Sequence, residues 1–510
     1  MTPVARALTN EEPTVEASRD EVDLQWLYEW GRRQDPVRVT LLAMMAVWSL
    51  VFIYLGWIRH VRYATFGFDL GLYDQPLWLL SRFEDPFVTL RGLDFWGTHL
   101  NPVLLLFVPF YWLGAGPLFL LVVQVLVQAS GAAAVYLLAR DRLGERWPAV
   151  ALGAVLLLHP TYQYLVWEFF HPDALAVAPL LFAYWAARAK RWRLFAVAVV
   201  LALACKEDVA LAVVVLGILI AIRGDRRIGL ITAAASAAWF MIATRVIIPV
   251  ANGIGPFYDT FFGELGGSVG EVAGTLVRNP SRAVELASRP DRVNYYRMML
   301  APVAFIPLLS PATLLIAGPM VGVNILSSFP YVREIRYHYS ALVLAAIVLA
   351  TVEAIAWLGT TAARRTFMVG LVVATSLAAT VAWGPSPIST KYESGLWPLG
   401  PDPRLPAKKA AAALVPDRAP ATVHYYFAPQ MAHREKIYEW PAPWKPANWG
   451  VHGENLHDPA DVRWLVLDRT LLSADDKILV SQLLSREFVV RFDQNDIVVA
   501  ERVAAPPPAP

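Results

Sequence analysis

Asp69 and Asp74 stand five positions apart in Phe68-Asp-Leu-Gly-Leu-Tyr-Asp-Gln75, shortly after a long apolar run. A carboxylate in such a loop can take a proton from a hydroxyl or hold a cation. Four more titratable clusters follow in the hydrophobic part of the chain: Asp94 with His99, Glu168 with His171 and Asp173, Lys206-Glu207-Asp208, and Arg336 with His338. Arg336, His338 and Lys206 suit a phosphate, because Arg offers a bidentate fork and His a titratable donor. The Arg336-Tyr-His-Tyr339 run reads equally as an interface anchor. Asp69, Glu168, His171 and Asp173 combine hard oxygens with an imidazole, a set that suits Mg²⁺ or Mn²⁺, and Glu168, His171 and Asp173 could instead bind acceptor hydroxyls. Asp74 begins an apparent helix, where an acid also complements the N-terminus, so cap and function stay open. Asp94 and His99 bracket an aromatic interfacial piece and say little singly.

These residues need a frame, and composition says which kind. Of 510 residues 56% are hydrophobic and only 17% charged, and the mean hydropathy is +0.44, values outside the range of soluble domains. The chain reads as an all-α polytopic membrane protein. A net charge of +2 with scattered basic residues argues against a nucleic-acid surface. The single cysteine, Cys205, excludes an internal disulfide and reads as a small buried residue. No phosphate-binding Gly-x-x-x-x-Gly-Lys run and no dinucleotide fingerprint occurs, so neither nucleotide nor ATP is expected as a partner.

Residues 1 to 36 are polar, with an amphipathic stretch near 20 to 33 that could lie on the membrane. Arg32, Arg33 and Arg38 before the first span place the N-terminus in the cytoplasm. Basic clusters at 140–146, 188–193, 223–227 and 364–365 then fix the parity. Spans are expected near 39–58, 118–138, 147–165, 173–189, 193–206, 208–223, 228–250, 298–309, 312–328, 338–358 and 366–383, about eleven in all. The stretch 101–113 is too short to cross and is bracketed by prolines. Every titratable cluster then falls on the exterior side. Six such groups facing lipid would cost roughly 15 to 20 kcal/mol, so they must meet water, each other or a ligand.

Composition changes at 384, where a proline-rich linker leads to a small extracytoplasmic α/β domain over 384–503, with 504–510 expected to be disordered. Strands are expected over 422–427 and 461–467, a helix capped by Ser473 to about Leu484, and a hairpin over 488–502 turning at 493–496.

The stretches Phe68 to Gln75, His99-Leu-Asn-Pro102, Glu168-Phe-Phe-His-Pro-Asp173, Lys206-Glu-Asp208 and Arg336-Tyr-His-Tyr339 resemble a bacterial membrane-protein family of unknown function, number 2079 in its series (DUF2079). So do His424 to Trp440 and Asp461-Val-Arg-Trp-Leu-Val-Leu-Asp468. The architecture over 37–383 is similar to the GT-C superfamily of glycosyltransferases. That similarity implies a polyprenyl-phosphate sugar donor, an acidic residue in the first exterior loop, mapped here onto Asp69, and a plasma-membrane location. GT-C enzymes often carry two adjacent acids, and Phe68 and Leu70 flank Asp69 here, which leaves metal use open.

The expected reaction is inverting transfer of a hexose or pentose to a cell-envelope glycan, lipid or protein acceptor. Asp69 would act as base, with Arg336, His338 and Lys206 on the phosphate and Asp74, Asp94, His99, Glu168, His171, Asp173 and Glu207 in the acceptor or metal region. A transporter or flippase of an envelope precursor is the rival, marked by polar groups at mid-depth. A silent scaffold whose exterior domain binds a partner is a third reading.

Overall fold

The computed structural model describes residues 35–253, 261–446 and 456–503. The amphipathic stretch and the C-terminal tail lie outside them. Among the described residues, the main helices of the membrane part are α1 Pro36–Val61, α2 Pro117–Leu143, α3 Arg146–Leu158, α4 Pro160–Trp167, α5 Pro172–Arg188, α6 Trp192–Leu203, α7 Val209–Arg223, α8 Arg226–Ile242, α9 Ala341–Leu358 and α10 Ala362–Trp383. Five helices among the described residues are long and apolar enough to cross a membrane, or six when the bent pair α3–α4 counts as one span. The bend of 47° falls at His159-Pro160, where proline removes a backbone donor.

Helices α6 and α7, of 12 and 15 residues, occupy the short segments expected at 193–206 and 208–223. One expected segment differs. The hairpin expected over 298–328 is a series of short pieces instead. Pro290–Leu300 ends in two single-turn 3₁₀ segments, and left-handed Ala304 and Phe305 turn the chain between them. Pro302, Pro307 and Pro311 each start a new piece, and only Pro311–Leu326 persists as a short apolar helical stretch.

Helix α9 is the axis of the bundle. Its residues from Ala341 to Val352 are all buried, and it packs on α2 and α5 as well as on the 3₁₀ segment Ile306–Leu309. At one end of the bundle lie the starts of α5, α7 and α9. At the other lie their C-termini and the basic clusters, tied together by Arg142 and Arg188 on Glu353 and by Arg365 on Glu145.

The C-terminal region holds a five-stranded mixed sheet. Its strands are β3 Ala421–Val423, β4 Ile437–Glu439, β5 Trp464–Asp468, β6 Phe488–Gln494 and β7 Ile497–Arg502, in the order β4-β3-β5-β7-β6; β1 Phe87–Val88 and β2 Leu93–Asp94 pair separately. β3 runs parallel to both neighbours, while the β6–β7 hairpin is antiparallel, as its Asp-Gln-Asn-Asp turn requires. Ser473 caps helix α11, Ala474–Arg486, in a reciprocal box with Asp476. The strand expected to reach Phe427 stops at Val423. The chain then turns into a single helical turn, Ala428–Met431, seated on the Asp69 loop.

Candidate functional site

Asp69 sits in a one-turn π-helix, Gly67–Gly71, between α1 and the helix Leu72–Leu80. Such turns widen the backbone locally and recur at functional sites. Close approach of the sheet region demands glycine here: a Cβ on Gly67 would lie 2.6 Å from Ala428 Cβ and 2.8 Å from the Tyr425 carbonyl. Gln75 adds hydrogen bonds to the Arg434 and Glu435 carbonyls and to Thr89, whose hydroxyl donates to the Ile437 carbonyl. The sheet region therefore holds the loop that carries Asp69.

That loop opens onto a cavity of about 710 Å³ lined by Asp69, His99, His171, Asp173, Lys206, Asp208 and His338 among polar groups. The His171 Nε2 lies 3.4 Å from Asp69 Oδ1, and the imidazoles of His171 and His338 stack at 4.0 Å. Glu168, buried beneath them, meets His338 Nδ1 at 2.8 Å and His171 Nδ1 at 4.0 Å. Gln124 on α2 fixes this turn. Its amide donates to the Leu165 and Phe169 carbonyls while its oxygen accepts from the His171 backbone N–H. Burial pushes the Glu168 carboxyl well above its usual range, with Asp69 and Asp173 adding to the effect.

Lys206 is buried between Asp173 at 3.1 Å and Asp208 at 3.4 Å. Burial opposes its charge, but Asp173, Asp208 and Glu207 outweigh that and hold the ammonium charged. Burial raises Asp208 to about 6 although Lys206 pulls it down. Glu207 positions the loop above it. It accepts from the Leu100 N–H at 3.0 Å and meets His99 at 2.8 Å, fastening the loop after α1 to the α6–α7 turn.

The metal set reads differently in three dimensions. Glu168, His171 and His338 can each offer a ligand atom within 4.8 Å of the others. Glu168 Oε2 and His171 Nδ1 are buried without a hydrogen-bond partner, which fits a cation among them. Asp173 is engaged by Lys206, and His338 takes its place in the set. Two imidazoles and a carboxylate favour Mn²⁺ or Zn²⁺ over Mg²⁺.

Three expected site residues lie elsewhere. Asp74 is fully buried against the Tyr111 hydroxyl at 2.8 Å and His433 at 3.1 Å, so it joins the membrane part to the sheet region. Asp94 caps a helical turn by accepting from the Trp96 N–H. Arg336 is 42% exposed, faces Glu334 at 3.5 Å and does not line the cavity. Arg91 and Arg245 line it instead, together with Tyr73. Arg245 forms no ion pair with a carboxylate among the described residues. Neither arginine belongs to a polar cluster, so only a helical projection of the expected span 228–250 could have brought Arg245, in the π-turn Ala243–Ile247 after α8, forward.

The family model described as "Predicted membrane protein (DUF2079)" matches residues 59–499. The chain belongs to that family. Every segment around the cavity falls within the match. Among solved structures, ArnT from Cupriavidus metallidurans bound to undecaprenyl phosphate is similar over 91% of this chain and 99% of its own, with a TM-score of 0.50 and 14% identity. At that identity the likeness is one of fold, the GT-C type. Apo ArnT from the same organism (TM-score 0.44, 14% identity, 91% and 98% coverage) and the archaeal oligosaccharyltransferase AglB from Archaeoglobus fulgidus (0.42, 12%, 91% and 74%) also match. No curated protein matches.

Proposed function

We propose that this protein transfers a sugar from a polyprenyl-phosphate donor to an acceptor hydroxyl at the extracytoplasmic membrane face. One observation carries the reading: a large cavity at one end of an apolar bundle joins an accessible carboxylate, Asp69, to fixed cations. ArnT, whose fold this chain shares, was crystallised with undecaprenyl phosphate. In an inverting transfer the acceptor oxygen attacks the anomeric carbon as Asp69 takes its proton. The bond from that carbon to the phosphate oxygen breaks, and its electrons leave with the phosphate. Arg245 and Arg91 are placed to stabilise the departing charge, with Lys206 as a more distant field.

A divalent ion bound at Glu168, His171 and His338 would add electrostatic stabilisation of the phosphate. Mn²⁺ binding to the purified chain, followed by its electron paramagnetic resonance signal, is expected to drop at least tenfold in Glu168→Gln. An unchanged signal removes the ion from the reading.

The transporter reading has less support. Between the two ends, α7 carries no polar side chain from Val209 to Ile222, and α9 none from Ala341 to Ala350. A polar path along these helices is therefore lacking.

The donor site is tested with a polyprenyl-phosphate analogue. Charge-assisted contacts contribute roughly 1.5 to 3 kcal/mol, so Arg245→Ala should weaken binding about ten- to a hundredfold, while Arg336→Ala changes it little. Unchanged affinity in Arg245→Ala, Arg91→Ala and the double variant would eliminate this donor site. Orientation is tested by labelling cysteines from outside: Asp475→Cys, in the sheet region, should react and Arg364→Cys should not. The reverse pattern would put the cavity on the cytoplasmic side.

A further inference from the structure

A second cavity, about 740 Å³, lies at the far ends of the helices whose starts build the first one. Arg188 is the last residue of α5 and Arg223 the last of α7, while Glu353 and Trp357 lie in the last turns of α9. Arg142 from the end of α2 and Lys190 from the α5–α6 turn complete the basic lining, with Asp225 as the N-cap of α8.

Basic residues at helix C-termini are common, since they complement the helix dipole and favour the cytoplasmic side. Those reasons account for charges on a surface. They do not account for this arrangement. Glu353, only 11% exposed, holds Arg142 at 2.9 Å and Arg188 at 3.2 Å and accepts from the Tyr184 hydroxyl at 3.0 Å. Two guanidinium groups are thus fixed on one wall. Lys190 and Arg223, on the same lining, form no ion pair with a carboxylate among the described residues, and Asp225 is occupied as the acceptor of the Ile228 N–H. Four cations therefore face two carboxylates whose lone pairs are largely engaged.

Apart from Ser310, the remaining lining is apolar, with Leu216, Leu219, Ile220, Leu309, Trp192 and Trp357 prominent. Tryptophans at the ends of membrane helices mark headgroup depth. A cationic recess beside apolar wall at that depth matches one ligand chemistry, a phosphate ester whose remainder is greasy.

We infer that this cavity binds the phosphate of an anionic phospholipid, held by Lys190 and Arg223 against the Arg142–Glu353–Arg188 wall, at the end of the bundle opposite the transfer site. Basic pockets between membrane helices bind lipid headgroups in this way. The assignment does not depend on the glycosyltransferase reading. The same helices, α5, α7 and α9, link the two cavities, so a lipid here would brace the elements that carry Asp173, Asp208 and His338.

The test uses the full chain in phosphatidylcholine nanodiscs containing brominated phosphatidylglycerol or brominated phosphatidylcholine. Quenching of Trp357 is read as the difference between wild type and Trp357→Phe. Phosphatidylglycerol should quench at a mole fraction at least tenfold lower than phosphatidylcholine, and Lys190→Gln/Arg223→Gln should abolish that preference. Both substituted side chains are exposed, and an unchanged melting temperature in lipid-free detergent serves as the folding control. Equal quenching by the two lipids, or a preference that survives the double variant, overturns the assignment. Binding of inorganic phosphate that is lost in the double variant, with no preference for phosphatidylglycerol in wild type, would keep a phosphate site but overturn its assignment to a lipid. If the double variant misfolds, native mass spectrometry of wild type decides, since retention of phosphatidylcholine as readily as phosphatidylglycerol also overturns it.

Discussion

Asp69→Asn should lose between about 10² and 10⁴ in transfer rate, the usual contribution of a general base, while binding of a polyprenyl-phosphate analogue stays within about threefold of wild type. The amide preserves the shape of the side chain in the π-turn but cannot accept the acceptor proton. Asp69 is suited to this substitution because its own contacts are few: His171 at 3.4 Å is the one ion-pair partner found within 4 Å among the described residues, and the side chain is 25% exposed to the cavity. A variant that folds, binds the analogue and turns over at near-normal rate would show that Asp69 is not the base. Glu168 would not simply replace it, since that carboxyl is buried beneath the two imidazoles and does not line the cavity. Asp208, which lines the cavity, would be the next candidate. Substituting Glu168 should act differently, through the orientation of His171 and His338 and through any ion they hold.

Side-chain placement is legible in the sequence where it follows from topology alone. Asp69, His99, Asp173, Lys206 and His338 come from distant parts of the chain, and simple parity of spans is enough to assign them to one end of the bundle, where they share a cavity. The direction of a side chain is not legible in the same way. Asp74 lies five positions from Asp69, yet its partner His433 is 359 residues away, and no local pattern records such a contact. Arg336 and His338 are two residues apart and point into different surroundings, one to Glu334 and the other to Glu168. Hydropathy also misjudges the first half of 298–328, because an apolar window does not register that prolines at 302 and 307 divide 301–309 into single turns, while 311–326 stays a short apolar helical stretch. In the C-terminal sheet region the capping box at Ser473 and the Asp-Gln-Asn-Asp hairpin are legible because both are local devices. The parallel pairing of β3 with β4 and β5 is not, since it depends on contacts across the domain.

The domain's packing changes how the loop variants should be read. Gly67 touches Ala428, Gln75 touches the backbone at 434 and 435, and Asp74 touches His433. A substitution at any of these moves Asp69 by loosening its support. Rate loss there would say nothing about proton transfer.

Lys206→Met should be the most destabilising single substitution around the cavity, costing about 3 to 5 kcal/mol, the usual result of removing one partner from a buried ion pair. Its ammonium is 6% exposed and separates Asp173 from Asp208, so methionine leaves two buried carboxylates facing one another. One of them must take a proton, and Asp208, already raised to about 6 with Lys206 present, is the group expected to do so. The sign of the pH dependence follows. A carboxyl whose folded value lies above its unfolded one favours the folded state while protonated, and that contribution is lost as pH rises. The deficit of Lys206→Met relative to wild type should therefore be smallest near pH 5 and grow toward pH 8. Adding Asp208→Asn should recover much of the stability and flatten the profile. Denaturant unfolding in detergent across that range reads all three variants. A deficit that is small and independent of pH would mean that water reaches the two carboxylates and that Lys206 contributes chiefly to the ligand, in which case polyprenyl-phosphate affinity, not stability, should fall in Lys206→Met.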